Sequence, residues 1–138
     1  MLENPIQSAT SKIKPWGREI WFAQNDRYAG KILEIEKGHR YSLQYHDEKI
    51  ETQYVFSGKV KFTYGMDEKN LTEKILEPGG ILHVQVGMIH RAEALEDSQI
   101  FEVSTPELHD VVKLDDDYGR SGKGNNEDLD RKLAEQQN

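Results

Sequence analysis

An all-β, single-domain architecture is what this sequence predicts, on three observations. Short runs rich in Val, Ile, Phe and Tyr recur between Gly, Pro, Asp and Asn punctuation from Trp16 to Leu114. The segment Lys59-Val60-Lys61-Phe62-Thr63-Tyr64 alternates polar with apolar side chains, which puts Val60, Phe62 and Tyr64 on one face of a strand. Few windows in that stretch have a helical period. The length of 138 residues suits one core, and 36% hydrophobic with 9% aromatic side chains suffice to fill it.

The elements follow in order. Residues 1–13 read as an N-terminal arm, 14–120 as the folded domain and 121–138 as a flexible polar tail. Strands are predicted over 19–23, 29–35, 41–45, 52–56, 59–64, 74–76, 81–84, 90–94 and 99–104, a spacing that suits a sandwich or barrel. Turns fall at 65–70 and at Pro78-Gly79-Gly80, where glycine accepts positive φ without a Cβ penalty. Beyond Arg120 the chain turns polar, with too few apolar residues for a core element, so a frayed helical turn or two is the most it promises. A mean hydropathy of −0.81 agrees with such unpacked segments.

Composition excludes several functions. Acidic side chains (25) outnumber basic ones (18), a net charge of −7 that argues against a nucleic-acid partner. No apolar run approaches the roughly 18 residues of a membrane span, and the start MLENPIQSATSK lacks a secretory pattern; a cytoplasmic protein without a membrane partner is expected. Without cysteine there is no disulfide framework, thiolate site or cysteine nucleophile, so any metal must take nitrogen and oxygen ligands.

Four polar residues stand out. Gln44 and His46 are two apart and share a strand face, Glu51 joins them only if the chain turns through 47–50, and His90 begins another strand after Gly87-Met88-Ile89. Two imidazoles, a carboxylate and an amide oxygen form an octahedral set for a divalent metal with two positions open. Each residue taken alone reads more readily as an ordinary polar strand residue.

The frame around them is more specific. Gly38-x5-Gln44-x-His46-x4-Glu51-x6-Gly58, followed by Gly79-x5-Gln85-x-Gly87-x2-His90, resembles the two motifs of the cupin superfamily, whose fold is a double-stranded β-helix, or jelly-roll barrel. Leu43-Gln44-x-His46, with Lys14-Pro15-Trp16-Gly17 before it, His90-Arg91 after it and the closing run Asp110 to Arg120, is similar to the C-terminal domain of type II phosphomannose isomerases. That family's aromatic and histidine residues after the glutamate are here Thr52 and Gln53, its arginine-like turn position is Lys49, and the Asn after the last histidine is Ala94.

The resemblance implies a metal-dependent sugar-phosphate isomerase of the mannose 6-phosphate/fructose 6-phosphate type. It also implies one divalent ion (Mn, Fe, Co, Ni or Zn) on Gln44, His46, Glu51 and His90, a sugar-phosphate partner and a homodimer. Moving a proton between C1 and C2 needs a general base. Glu102 is the candidate, since Ile100, Glu102 and Ser104 share a face and the Glu102-Val103 pair matches the isomerase family; Phe101 and Val103 have an equal claim to the inward face. Lys49, Arg91 and Arg120 are the cations available to a phosphate, with Arg favoured for its bidentate fork. All three also read as surface charges, and Arg91, next to His90 on a strand, should face away from the metal.

Trp16 is either a stacking platform for a sugar or a core anchor. His39, His83 and His109 fit no ligand spacing, and Asp115-Asp116-Asp117 reads as a solvated turn. Two alternatives remain: a non-catalytic metal-containing cupin that binds a sugar or small molecule, and another cupin metalloenzyme such as an oxygenase.

Overall fold

The computed structural model describes residues 4–137. Its chain order is β1 (Thr10–Lys14), β2 (Gly17–Gln24), β3 (Ala29–Ile35), β4 (Leu43–Tyr45), β5 (Glu51–Ser57), β6 (Val60–Gly65), β7 (Thr72–Leu76), β8 (Ile81–Val84), β9 (Ile89–Ala94), β10 (Ser98–Ser104), β11 (Val112–Asp115), β12 (Gly122–Lys123) and α1 (Glu127–Gln136). The strands form two antiparallel sheets, ordered β1-β2-β3-β10-β5-β8 and β12-β11-β4-β9-β6-β7. Every strand predicted from the sequence is present, and β1, β11 and β12 are additional.

Period-2 alternation decides which side chains enter the core. Val60 and Phe62 of β6 are buried while Lys61 between them is half-buried, and Leu33 with Ile35 of β3, Val55 of β5 and Ile100 of β10 point at them from the facing sheet. Trp16 belongs to this core, edge-on to Tyr41 at 6.3 Å, so it anchors the interior and is no exposed platform for a sugar. The turn beside it demands glycine, because a Cβ on Gly17 would sit 1.9 Å from the Glu34 carbonyl oxygen. Gly58 in the β5–β6 turn has φ +89°, and a Cβ there would meet the Asp97 carbonyl oxygen at 2.5 Å.

The outer face of the first sheet is apolar. Ile20, Ile32, Phe101, Tyr54 and Ile81 are consecutive cross-strand partners over five strands, and Phe56 stacks on Phe101 at 4.7 Å. Phe101 and Val103 therefore take the outside of β10, which sends Ile100 and Glu102 inward.

Two expectations change. The tail read as a flexible segment carries β12 and α1, and α1 lies against β1. Asn126 caps the helix by accepting a hydrogen bond from the Leu129 amide at 3.1 Å, and acidic side chains fill its first turn. The contact escapes a hydrophobicity reading because charge pairs hold it, Asp130 with Lys14 and Arg120 and Glu127 with Lys12. The run Asp115-Asp116-Asp117 is likewise no merely solvated turn: each carboxylate pairs with its own arginine, Arg91, Arg120 and Arg40 in that order. Among the described residues no helix is long and apolar enough to cross a membrane.

Candidate metal centre

The two sheets supply the centre jointly. Gln44 on β4 is the direct cross-strand partner of His90 on β9, so both project inward from the second sheet, and His46 follows β4 immediately. Glu51 opens β5 in the opposite sheet. Asp110 fixes the turn that carries the chain across, since its carboxylate accepts from the amides of Asp47 (3.0 Å), Glu48 (2.7 Å) and Lys49 (2.9 Å).

His46 Nε2 lies 2.8 Å and His90 Nε2 3.1 Å from the same Glu51 oxygen, and one ligand atom from each of the three falls within 4.8 Å of the others. The other ring nitrogens settle the tautomers. His46 Nδ1 is 2.6 Å from the Asp110 carbonyl oxygen and His90 Nδ1 is 3.0 Å from that of Met88; a carbonyl only accepts, so each Nδ1 carries the proton in the neutral ring. Both Nε2 lone pairs then face a carboxylate oxygen that also only accepts. His90 Nε2 is buried and, despite its closeness to Glu51, has no properly angled hydrogen bond. Three electron-pair donors converging in a buried space fit a cation between them, with the backbone carbonyls as its outer shell.

Burial keeps the His46 imidazole below its ordinary pKa. Although burial pushes the Glu51 carboxyl up, the nearby Lys49 ammonium draws it well below the usual carboxylate range. Gln44 lies beside this set, and its Oε1 accepts from the Ser42 hydroxyl at 2.6 Å. The Gln53 amide donates to the other Glu51 oxygen at 3.4 Å and accepts from the Tyr41 hydroxyl at 3.2 Å.

Glu102 sits on the inner face of β10, directly across from Gln53 on β5 and Lys31 on β3. Its Oε2 is buried without a hydrogen bond, 3.5 Å from Lys49 Nζ and 3.9 Å from Lys31 Nζ. Burial and the negative charge of Glu51 push its carboxyl up. Next to it, Lys31 and Lys14 overcome burial and pull the Glu19 carboxyl down to about 2.

The residues meant for phosphate are placed differently from one another. Lys49, expected to be an exposed turn cation, is 3% exposed and turned inward against Glu102. Arg91 is excluded from the interior by strand alternation with His90; its Nε donates to the Tyr41 carbonyl and its Nη1 lies 3.4 Å from Asp115. Arg120 does line the interior, but Asp116 and Asp130 already hold its guanidinium at 2.8 and 3.1 Å. None of His39, His83 and His109 belongs to the three-residue group.

Sequence reading missed Lys14, Lys31 and Lys113. All three line the interior cavity; Lys31 directly precedes Ile32-Leu33 and Lys113 sits between Val112 and Leu114, the signal that was available. Burial, with Arg120 and Lys14 nearby, pushes the Lys113 ammonium down to about 8. The cavity offers only about 50 Å³ to the centres of water molecules, room for a few of them.

A family model described as "Mannose-6-phosphate isomerase C-terminal" matches residues 3–116. Comparison with curated protein sequences gives no match. Among solved structures, the capsular polysaccharide assembling protein CapF from Staphylococcus aureus superposes with a TM-score of 0.66 at 19% identity, over 80% of this chain and 33% of CapF. KdgF from Halomonas sp. gives 0.62 at 18% identity over 73% of this chain and 89% of its own. Oxalate decarboxylase from Bacillus subtilis gives 0.65 at 17% identity over 77% and 30%. This chain thus spans about a third of CapF, and at these identities the likeness concerns the fold.

Proposed function

We propose, from the premise that this chain belongs to the mannose-6-phosphate isomerase C-terminal family of cupins, that it is a metal-dependent aldose–ketose isomerase acting on a sugar phosphate of the mannose 6-phosphate type. The observation that carries the reading is the convergence of His46 Nε2, His90 Nε2 and a Glu51 oxygen in a buried space, with both imidazole tautomers fixed from behind.

The reaction moves a proton between C1 and C2 and places negative charge on an enediolate oxygen. His46, Glu51 and His90, with the Gln44 amide oxygen, would hold one divalent ion of Mn, Fe, Co, Ni or Zn type; when bound, it supplies positive charge where that oxyanion develops. Glu102 would take the proton from one carbon and return it to its neighbour, a role supported by its place on the cavity wall and its freedom from any hydrogen bond at Oε2. Lys49 would steady the Glu102 carboxylate while the base is ionised. Lys31, paired mainly with Glu19 at 3.2 Å, keeps a positive charge beside the developing anion. Acidic overall, the chain nevertheless lines its cavity with Lys14, Lys31, Lys49, Lys113 and Arg120, which suits an anionic substrate.

A coupled assay converting mannose 6-phosphate to fructose 6-phosphate tests this. Turnover that needs a divalent metal and stops on chelation is expected; no turnover with any of the five metals would overturn the isomerase. The small cavity favours a second reading, a metal-containing cupin that binds a small anion without isomerising it, and tight ligand binding without turnover would select it.

The homodimer is proposed on the outer face of the first sheet, where the row from Ile20 to Ile81 offers a self-complementary apolar surface. Sedimentation equilibrium should give a dimer for the wild type and a monomer for Tyr54→Lys, while a wild-type monomer at micromolar concentration would remove the interface.

A further inference from the structure

The C-terminal segment closes one side of the cavity with charge instead of apolar contact. Asp130 of α1 places Oδ2 2.9 Å from Lys14 Nζ and Oδ1 3.1 Å from Arg120 Nη1, and these three side chains are at most 6% exposed. Lys113 Nζ donates to the Gly124 carbonyl and to Asn125 Oδ1 (3.3 Å), and among the described residues no carboxylate pairs with it. Lys113, Arg120 and Asn125 line both the interior cavity and a separate outer depression of about 330 Å³, so the segment from 120 to 130 is the wall between them.

Register ties this cluster to the metal centre. Lys113 on β11 pairs with Gln44 on β4, and Gln44 pairs with His90 on β9, so the three side chains form one inward row. Two inter-strand spacings separate the Cα atoms of Lys113 and His90 by about 10 Å, a span comparable to a phosphorylated six-carbon sugar.

We propose that Lys14, Lys113 and Arg120 form a subsite for the phosphoryl group of a small ligand, and that the Asp130 carboxylate occupies it as a displaceable internal surrogate carried on α1. Asp116 already holds Arg120, so three cations meet two carboxylates, and a phosphoryl group in the place of Asp130 brings more charge and three acceptor oxygens to the same donors. Displacing Asp130 would remove the wall and join the two depressions, which a cavity holding only a few waters requires before a sugar phosphate enters. The weak apolar anchoring of α1 makes it displaceable: its covered residue is a charged one, and Glu127 and Lys12 form an exposed pair at its edge. The ligand's sugar rests on the isomerase reading; the anion subsite does not.

The test measures inorganic phosphate affinity on the full chain by calorimetry, metal-loaded and chelated, without reference to turnover. Asp130→Asn removes the negative charge of the internal surrogate and should bind phosphate about tenfold tighter than wild type. Lys113→Met in that background should return the affinity to the wild-type level. Glu127→Lys faces Lys12 with like charge and loosens α1 without touching the subsite. It should speed amide exchange over 127–136 and tighten phosphate binding about threefold, which covers the case of a poorly folded Asp130→Asn.

Equal affinity in wild type and a folded Asp130→Asn overturns the proposal, as does faster exchange in Glu127→Lys with unchanged affinity. Binding only to the metal-loaded chain, insensitive to Lys113→Met, would place phosphate on the metal; this overturns the subsite and leaves the isomerase standing. Absent turnover with Asp130-dependent phosphate binding does the reverse. Acetate binding as tightly as phosphate would overturn the phosphoryl assignment.

Discussion

His90→Gln is expected to lose its divalent metal. In the wild type His90 Nε2 is a buried nitrogen with no proton to give and no donor to satisfy it, and the Met88 carbonyl holds the ring in that state. Glutamine keeps volume and polarity but replaces the imidazole donor, so affinity should fall by more than about 100-fold, beyond the usual cost of losing an outer-shell partner. Metal analysis of purified protein reads this directly. Gln44→Ala should lose less, because a neutral amide oxygen already bonded to Ser42 is the weakest member of the set. Unchanged metal content in both variants would sink the ligand assignment.

Thermal unfolding gives a second readout. A ligand at a thousand times its Kd stabilises a fold by about 4 kcal/mol, and about 1 kcal/mol moves Tm by roughly 2–8 °C for domains near this size, so chelation should lower the wild-type Tm by about 10 °C or more. His90→Gln should show no such dependence. The ligands bind in their deprotonated forms, and both His46 and Glu51 are held below their ordinary pKa values. The competent form therefore persists as pH falls toward the ordinary histidine range, and metal should be released below it.

Glu102→Gln should keep its metal and fold while losing turnover. The side chain is isosteric, buried on the wall of the cavity and outside the His46, Glu51 and His90 set, so the change removes the one atom able to carry the substrate proton. General-base loss of this kind costs about 10²- to 10⁴-fold in kcat with little change in KM. Steady-state kinetics on metal-loaded protein measure the split. Full activity in Glu102→Gln would remove the base assignment, and an equal rise in KM with unaltered kcat would make Glu102 a binding group.

Much of the candidate site was legible because cupin spacing is written in local sequence. Gln44 and His46 share a strand face by their offset, and the structure does turn the chain through 47–50 to bring Glu51 back to them. The stabiliser of that turn, Asp110, lies some sixty residues on and has no local signal. Lys31 and Lys113 were visible as charges beside apolar strand residues, but their use depends on which strands pair. Lys49 looked exposed because its neighbours Asp47 and Glu48 are exposed, as they prove to be, while its own side chain goes inward.

By itself the sequence determined an all-β chain, the positions of nine strands and the residues able to bind a metal without sulfur. These follow from period-2 alternation, turn chemistry and side-chain donors, all properties of a few adjacent residues. Tertiary structure decided that Glu102 faces in, that Phe101 belongs to an exposed apolar row, and that a polar tail closes the cavity through Asp130. Alternation fixes which residues share a face but not which face is buried. That choice belongs to pairings between distant strands, and a contact held by buried charges leaves no mark in the hydrophobic pattern.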